Sequence, residues 1–378
     1  MIHIYIFAYI LYTLVCYAIA IMCDSCRLKK RDAKILLSIL IFVGALIAAL
    51  RPENTQDIEV YNAAYQDCLA YLKNVKLDLK NIFANRSFRD IELFYVMIMA
   101  FFRRVFVSPI FFYLIQGFFS NAIMVQGLYL LCQNTSETIT GDKDKYFSNN
   151  VILIYALYQT FCGILYTSSA IRDGLSISIG VFAIANLLLK RKRLLSCVFL
   201  LASVLIHTTS IVLIGIYLVL LVWKRKIGNC SIVLTSLFVP ALYFLKVGAV
   251  LVGFITPLIE ELLNLLNINA FYSYIKLLDY QLPMREGFLV VATCIILALL
   301  SISGKIAVKE SRYIIVVIIG LLMFVSAYPI PALARLLYVF VLFMIPVVVK
   351  MKKNRKLVYV FWTLLFVPQY IYVFSYFL

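Results

Sequence analysis

Apolar runs of roughly 18 residues or more recur along the chain, with short polar breaks between them. They lack the two-residue alternation of barrel strands, so they read as membrane-spanning helices. The predicted spans are about Ile4–Met22, Ile35–Leu50, Pro109–Cys132, Asn150–Leu165 and a fifth descending from Arg172 to Lys190. Further on come about Ile232–Val250, Gly287–Ser303, Tyr313–Ala327, Leu336–Val349 and Leu357–Leu378. Leu194–Trp223 has a basic cluster at each end and one polar break, His207-Thr-Thr-Ser210, so it reads as a hairpin. Each arm is roughly 14 residues, or about 21 Å of helix, short of a hydrocarbon core of about 30 Å. His207 would then lie at the floor of an outward-facing cavity; a single tilted helix, the alternative, would put it at the midplane. Ile91–Val107 is apolar but short and carries Arg103 and Arg104, which reads as an interfacial or re-entrant helix.

The expected architecture is an all-α polytopic membrane protein with about 10–12 transmembrane helices, the hairpin included. A single integral domain covers residues 1–378, with extracytoplasmic segments at 51–107 and 251–285. Charge orients it. The basic clusters fall between apolar runs, at Arg27–Lys34, Lys190–Arg193, Lys224–Lys226 and Lys350–Lys356, as cytoplasmic loops do. The net charge of +17 is therefore topological, and a nucleic-acid surface would need a soluble domain to carry it. The nine cysteines are scattered, and Cys23 and Cys26 form a lone CxxC without a second pair or a nearby histidine. No metal, Gly-rich phosphate loop or nucleophile elbow is read, so no cofactor is expected.

With that orientation Arg51, Arg172 and Arg335 all stand at outer ends of spans, against the charge bias of that side. His207 reaches the same depth at the hairpin apex. Singly, each arginine is read equally well as snorkelling to the interface. Together, three guanidiniums and an imidazole suit an anionic, bidentate ligand such as a phosphate or pyrophosphate. Arg172 heads the set, because Asp173 adjoins it and small residues surround it. His207 is a candidate general base. Asp57, Glu59 and Glu92 compete for that role, and hydrogen bonding between helices is the plainer fate of the histidine. Outer tyrosines Tyr61, Tyr65, Tyr71, Tyr272, Tyr274 and Tyr280 fit an aromatic belt or sugar stacking.

Four stretches carry a resemblance. They are Arg51-Pro-Glu-Asn-Thr-Gln-Asp57 with Tyr61 and Tyr65; Glu92-Leu-Phe-Tyr95; Ile171-Arg172; and Leu205-Ile-His207-Thr-Thr-Ser210 with Arg335 and Tyr338. In this order the chain resembles the EpsG-like, Wzy-type polymerases that extend O-antigen chains. It departs from the usual pattern at Asn54, where a glycine is customary, and at Asp173, where glutamine is common. The resemblance implies a GT-C-like membrane glycosyltransferase in the bacterial inner membrane, acting at its periplasmic face. It would pass a glycan from one undecaprenyl diphosphate carrier to the sugar of another, with a chain-length regulator as a possible partner besides membrane lipid. The roles implied are Arg172 and Arg335 on the pyrophosphate, Arg51 in support, and His207 or a carboxylate such as Asp57 as base. Glu92, Asp173, Tyr61, Tyr65 and Tyr338 would hold substrate or position the arginines. A ligase moving finished glycan to lipid A is the nearest enzyme alternative, and a lipid-linked oligosaccharide flippase the alternative of another class.

Overall fold

The first helix of the computed structural model, α1 (Ile2–Ser25), is built inside out. Ile4, Phe7, Leu11 and Leu14 are exposed, while Tyr5, Tyr9, Tyr12 and Cys16, at the same helical spacing, are buried. Apolar side chains face outward where lipid would solvate them, and hydroxyls face inward where they find partners. Tyr12 donates to the Leu40 carbonyl at 2.7 Å, and Tyr9 to the Gln159 carbonyl at 3.0 Å. A helix in water would reverse this arrangement. The residues described are 2–25, 28–52, 58–74, 91–135, 143–265, 278, 280–303, 306–350, 360 and 363–365. Among them seven helices are long and apolar enough to cross a membrane, or up to eight if a bent pair counts as one span. The expected last span, Leu357–Leu378, falls almost wholly outside the described residues, as do Asp57, Tyr272, Tyr274 and Cys26.

The chain forms two compact units, one within Met1–Tyr217 and one within Leu218–Ile371. In the first, α1 is followed by α2 (Lys30–Ala49), α3 (Ile58–Asn74), α4 (Leu93–Arg103), α5 (Pro109–Thr135) and α6 (Lys143–Tyr158). Two wide, π-type turns then run over Gln159–Gly163 and Leu165–Ser169. Next come α7 (Ile171–Leu188), α8 (Arg193–Ile206), a single turn over Thr208–Ile211, and α9 (Val212–Val222), within which the first unit ends at Tyr217. Helix α4, at 11 residues, spans about 17 Å and is too short to cross. It packs on α3 instead, where Tyr65 donates to the Phe106 carbonyl at 2.8 Å and Arg103 to Gln66 at 3.0 Å.

The hairpin is confirmed by which residues meet along α7. Descending α8, Phe199 meets Phe182 and Ser203 approaches Gly180; at its end His207 reaches Asp173. Beyond the turn the order reverses: Thr209 reaches Asp173, Ser210 bonds Ser176 at 2.8 Å, and Leu213 lies against Gly180. The chain therefore goes out along α7 and comes back, with its polar break at the level of the first turn of α7. The single tilted helix is excluded.

The π-type stretch was not foreseen. The fourth span was expected to run regularly to Leu165 and end in a short outer turn. Instead the helix widens, and the Ala170 amide bonds the Leu165 carbonyl five residues back at 2.7 Å. Buried hydroxyls compete for the backbone here, with Thr160 donating to Ala156 at 2.7 Å and Thr167 to Gly163 at 2.6 Å. Such turns often occur at functional sites. This one presses the Tyr166 carbonyl onto Gly174, where an added Cβ would sit 2.0 Å from the oxygen. Gly174→Ala is expected to cost about 1–3 kcal/mol by overpacking, read as a lowered thermal midpoint of the purified protein. An unchanged midpoint would mean that the contact yields freely.

The second unit holds α10 (Asn229–Phe244), α11 (Val247–Leu265), α12 (Met284–Ser303), α13 (Val308–Ala327), α14 (Pro331–Leu342) and α15 (Ile345–Lys350). The expected span Ile232–Val250 is bent by 61° where α10 gives way to α11, at Lys246 in left-handed backbone (φ 56°). Asn229 and Ser301 exchange two bonds of 2.8 Å that tie α10 to α12.

Candidate active site

Four segments of the first unit deliver ionisable groups to one place. Arg51 follows α2, Glu92 precedes the first residue of α4, Arg172 and Asp173 open α7, and His207 sits in the hairpin break. Each of these segments ends there for a local reason. Glu92 has extended backbone (ψ 138°), which starts α4 at Leu93. The start of α7 is latched from the side, since Tyr95 donates to Gln116 at 2.7 Å and Gln116 donates to the Ile171 carbonyl at 2.8 Å.

Glu92 is the hub. Its Oε2 accepts from Arg172 Nη1 at 2.5 Å, and its Oε1 lies 2.5 Å from His207 Nδ1. On the other face of the imidazole, Nε2 stands 2.8 Å from Asp173 Oδ1, which also accepts from the Thr209 hydroxyl at 2.6 Å. An imidazole with a carboxylate at each nitrogen donates from both, which is the cationic form. Burial raises the Glu92 pKa, but the hydrogen bond and charge of His207 and the charge of Arg172 outweigh it and hold the carboxyl below the usual range. Arg172 also donates through Nε to Tyr61 at 2.8 Å, with its guanidinium 5.5 Å from that ring centre. An arginine in the first turn of a helix opposes the helix dipole, and Glu92 compensates for it.

Arg51 is held differently. It is 5% exposed and lies 4.3 Å over the Tyr113 ring, with one bond from Nη1 to the Thr167 carbonyl at 3.2 Å. That carbonyl belongs to the π-type stretch. Nε and Nη2 of Arg51 are buried and have no hydrogen-bond partner among the described residues. A guanidinium withdrawn from water with two donor groups unused is costly, and a ligand anion would satisfy them.

The structure thus brings Tyr61, Glu92, Arg172, Asp173 and His207 into contact, and holds Arg51 over Tyr113, whose hydroxyl donates to Asn62 beside Tyr61. Tyr65 is fully buried, stacked on Phe112 at 5.3 Å with its hydroxyl on the Phe106 carbonyl, and so packs rather than faces a sugar. Arg335 and Tyr338 belong to the second unit, on α14. Sequence reasoning missed the part played by Thr209, and missed Tyr113 and Thr167 beside Arg51. Only the polar break around His207 signalled the first of these. Among the described residues no group of His, Cys, Asp or Glu is arranged to hold a metal.

An all-helical, multi-pass membrane protein with a buried cluster of charges at the ends of its helices is the class that fold and site define. Within that class the assignment is specific, because the EpsG family model matches residues 34–378 and the chain belongs to the EpsG family. It is in kind a membrane glycosyltransferase-like polymerase. No curated protein and no solved structure matches the chain.

Proposed function

We propose that the protein is an O-antigen-type polymerase that joins oligosaccharide repeat units carried on undecaprenyl diphosphate. The observation that carries this reading is a buried cluster in which, among the described residues, the cation Arg51 has no carboxylate partner. Arg172 and His207 are matched by Glu92 and Asp173, whereas Arg51 has two donor groups without a partner among the described residues. The diphosphate of the carrier is the anion that the reaction releases. Its developing charge is best met by donors already in place.

The acceptor's sugar hydroxyl attacks the anomeric carbon of the donor glycan. A C–O bond forms there as the bond to the carrier phosphate breaks, and the leaving pyrophosphate takes that electron pair. The hydroxyl proton must go to a base. Glu92 uses both oxygens, and His207 both nitrogens. Among the described residues Asp173 bonds His207 and Thr209 through Oδ1. Oδ2 of Asp173 is the acceptor for the proton, with His207 and Thr209 fixing the carboxylate's orientation. Arg172 is locked by Glu92 and Tyr61 and lends its charge to the same pyrophosphate.

Orientation follows from charge. Arg51 and Arg172 lie at the ends of α2 and α7 opposite to the basic residues Lys30–Lys34 and Lys190–Arg193. If those clusters are cytoplasmic, the site faces the periplasm of the inner membrane. A strain lacking the protein is expected to show single repeat units on lipid A and no longer chains, because export and ligation stay intact. Absence of even the single-unit band would favour a flippase, and carrier-linked polymer would favour a ligase.

A further inference from the structure

Helix α1 takes no part in the reaction above, yet it ties together the two elements that meet at Arg51. It also precedes the family match over residues 34–378, so membership assigns it no role. Its buried face carries Tyr5, Tyr9 and Tyr12, spaced as one side of a helix. Each phenol ends on a different partner in the first unit. The Tyr5 hydroxyl lies 2.7 Å from the Ser168 hydroxyl, and Tyr9 donates to the Gln159 carbonyl at 3.0 Å. Those two bonds take hold of the π-type stretch near its two ends. Tyr12 donates to the Leu40 carbonyl of α2 at 2.7 Å. Close approach is built in on both sides. A Cβ on Gly163 would stand 2.2 Å from Gln159 Oε1 and 3.1 Å from the Tyr9 oxygen, and one on Gly44 would stand 2.5 Å from the Tyr12 oxygen.

The same two elements, α2 and the π-type stretch, meet at the site through the bond from Arg51 Nη1 to the Thr167 carbonyl at 3.2 Å. The peptide plane that holds this carbonyl includes the nitrogen and Cα of Ser168. The bond between the Ser168 and Tyr5 hydroxyls therefore limits how the carbonyl can turn. That restraint matters in a widened turn, where the regular ladder of bonds to the fourth residue back is interrupted. The Thr167 carbonyl and the Tyr113 ring in turn set the aim of Arg51 Nε and Nη2. We propose that Tyr5 and Ser168 are positioning residues: their bond sets the Thr167 carbonyl, and the carbonyl aims the Arg51 guanidinium at the carrier diphosphate. Tyr9 and Tyr12 hold the frame in which that bond forms. The proposal rests on the polymerase reading for what Arg51 meets.

The test uses purified full-length protein in lipid nanodiscs with carrier-linked repeat units, rates being normalised to folded protein. Tyr5→Phe keeps the ring and removes the hydroxyl. It is expected to lower kcat about 10- to 100-fold with the donor KM within a few-fold, as misplacing a group that acts in the transition state does. Ser168→Ala should do the same, and the double variant should be no slower than either single one, since both remove the same bond. In an Arg51→Lys background Tyr5→Phe should slow the rate by less than about twofold. A contact that only stabilises the fold would lower the thermal midpoint and leave the rate per folded molecule unchanged. That result, or equal slowing in both backgrounds, overturns the proposal. Ser168→Ala alone carries the test if Tyr5→Phe does not fold. Undecaprenyl diphosphate, titrated into the same proteins, separates this proposal from the polymerase reading. Wild type is expected to bind it about tenfold more tightly than Tyr5→Phe, because the released anion bears the charge that Arg51 meets. Wild type that shows this difference but makes no polymer defeats the polymerase reading and leaves the positioning role standing. Equal affinity in wild type and the folded variants overturns that role whatever the polymer assay gives.

Discussion

Arg51→Lys is expected to reach the membrane at near-normal levels and to make polymer about 100- to 1,000-fold more slowly, the usual cost of losing a preorganised donor to a developing anion. The lysine keeps the positive charge and can reach the Thr167 carbonyl that Arg51 bonds. It cannot offer the planar fork of donors that Nε and Nη2 present. If Arg51 served only to fill space against Tyr113, the variant would lose stability and keep its rate per folded molecule. Polymer formed from carrier-linked units, normalised to folded protein, separates the two. A rate within a few-fold of wild type would remove Arg51 from the site.

Asp173→Asn is expected to lose about 100- to 10,000-fold in rate, the span typical of general base removal. The substitution is mild in structure. An amide oxygen can still accept from His207 and from Thr209, the two contacts that Asp173 Oδ1 makes. What changes is Oδ2, where an NH2 group replaces the proton acceptor. Binding of the carrier-linked donor should therefore persist while turnover stops. A merely positioning Asp173 would instead give a moderate loss, with donor affinity falling alongside the rate.

Much of this arrangement was legible in the chain because charge in an apolar context is expensive and so stands out. Arg172-Asp173 at the head of an apolar run and the His207-Thr-Thr-Ser210 break both marked real ends of helices. The short arms around His207 implied the hairpin that the meeting of Ser203 and Leu213 at Gly180 bears out. The π-type turns carry no such mark, since they depend on which carbonyls the buried Thr160 and Thr167 take in three dimensions. The sequence also could not reveal that His207 is gripped from both sides, because its partners come from positions 115 and 34 residues away.

On the proposed mechanism the buried cluster of the first unit is where a glycan leaves its carrier diphosphate. The most direct measurement is a single-turnover reaction of purified protein with carrier-linked repeat units, following release of undecaprenyl diphosphate and formation of glycosidic bonds together. Wild type should release one carrier diphosphate per bond formed, and Asp173→Asn should bind the donor yet do neither at a measurable rate. Asp173→Asn releasing carrier diphosphate and extending glycan as fast as wild type would contradict the claim.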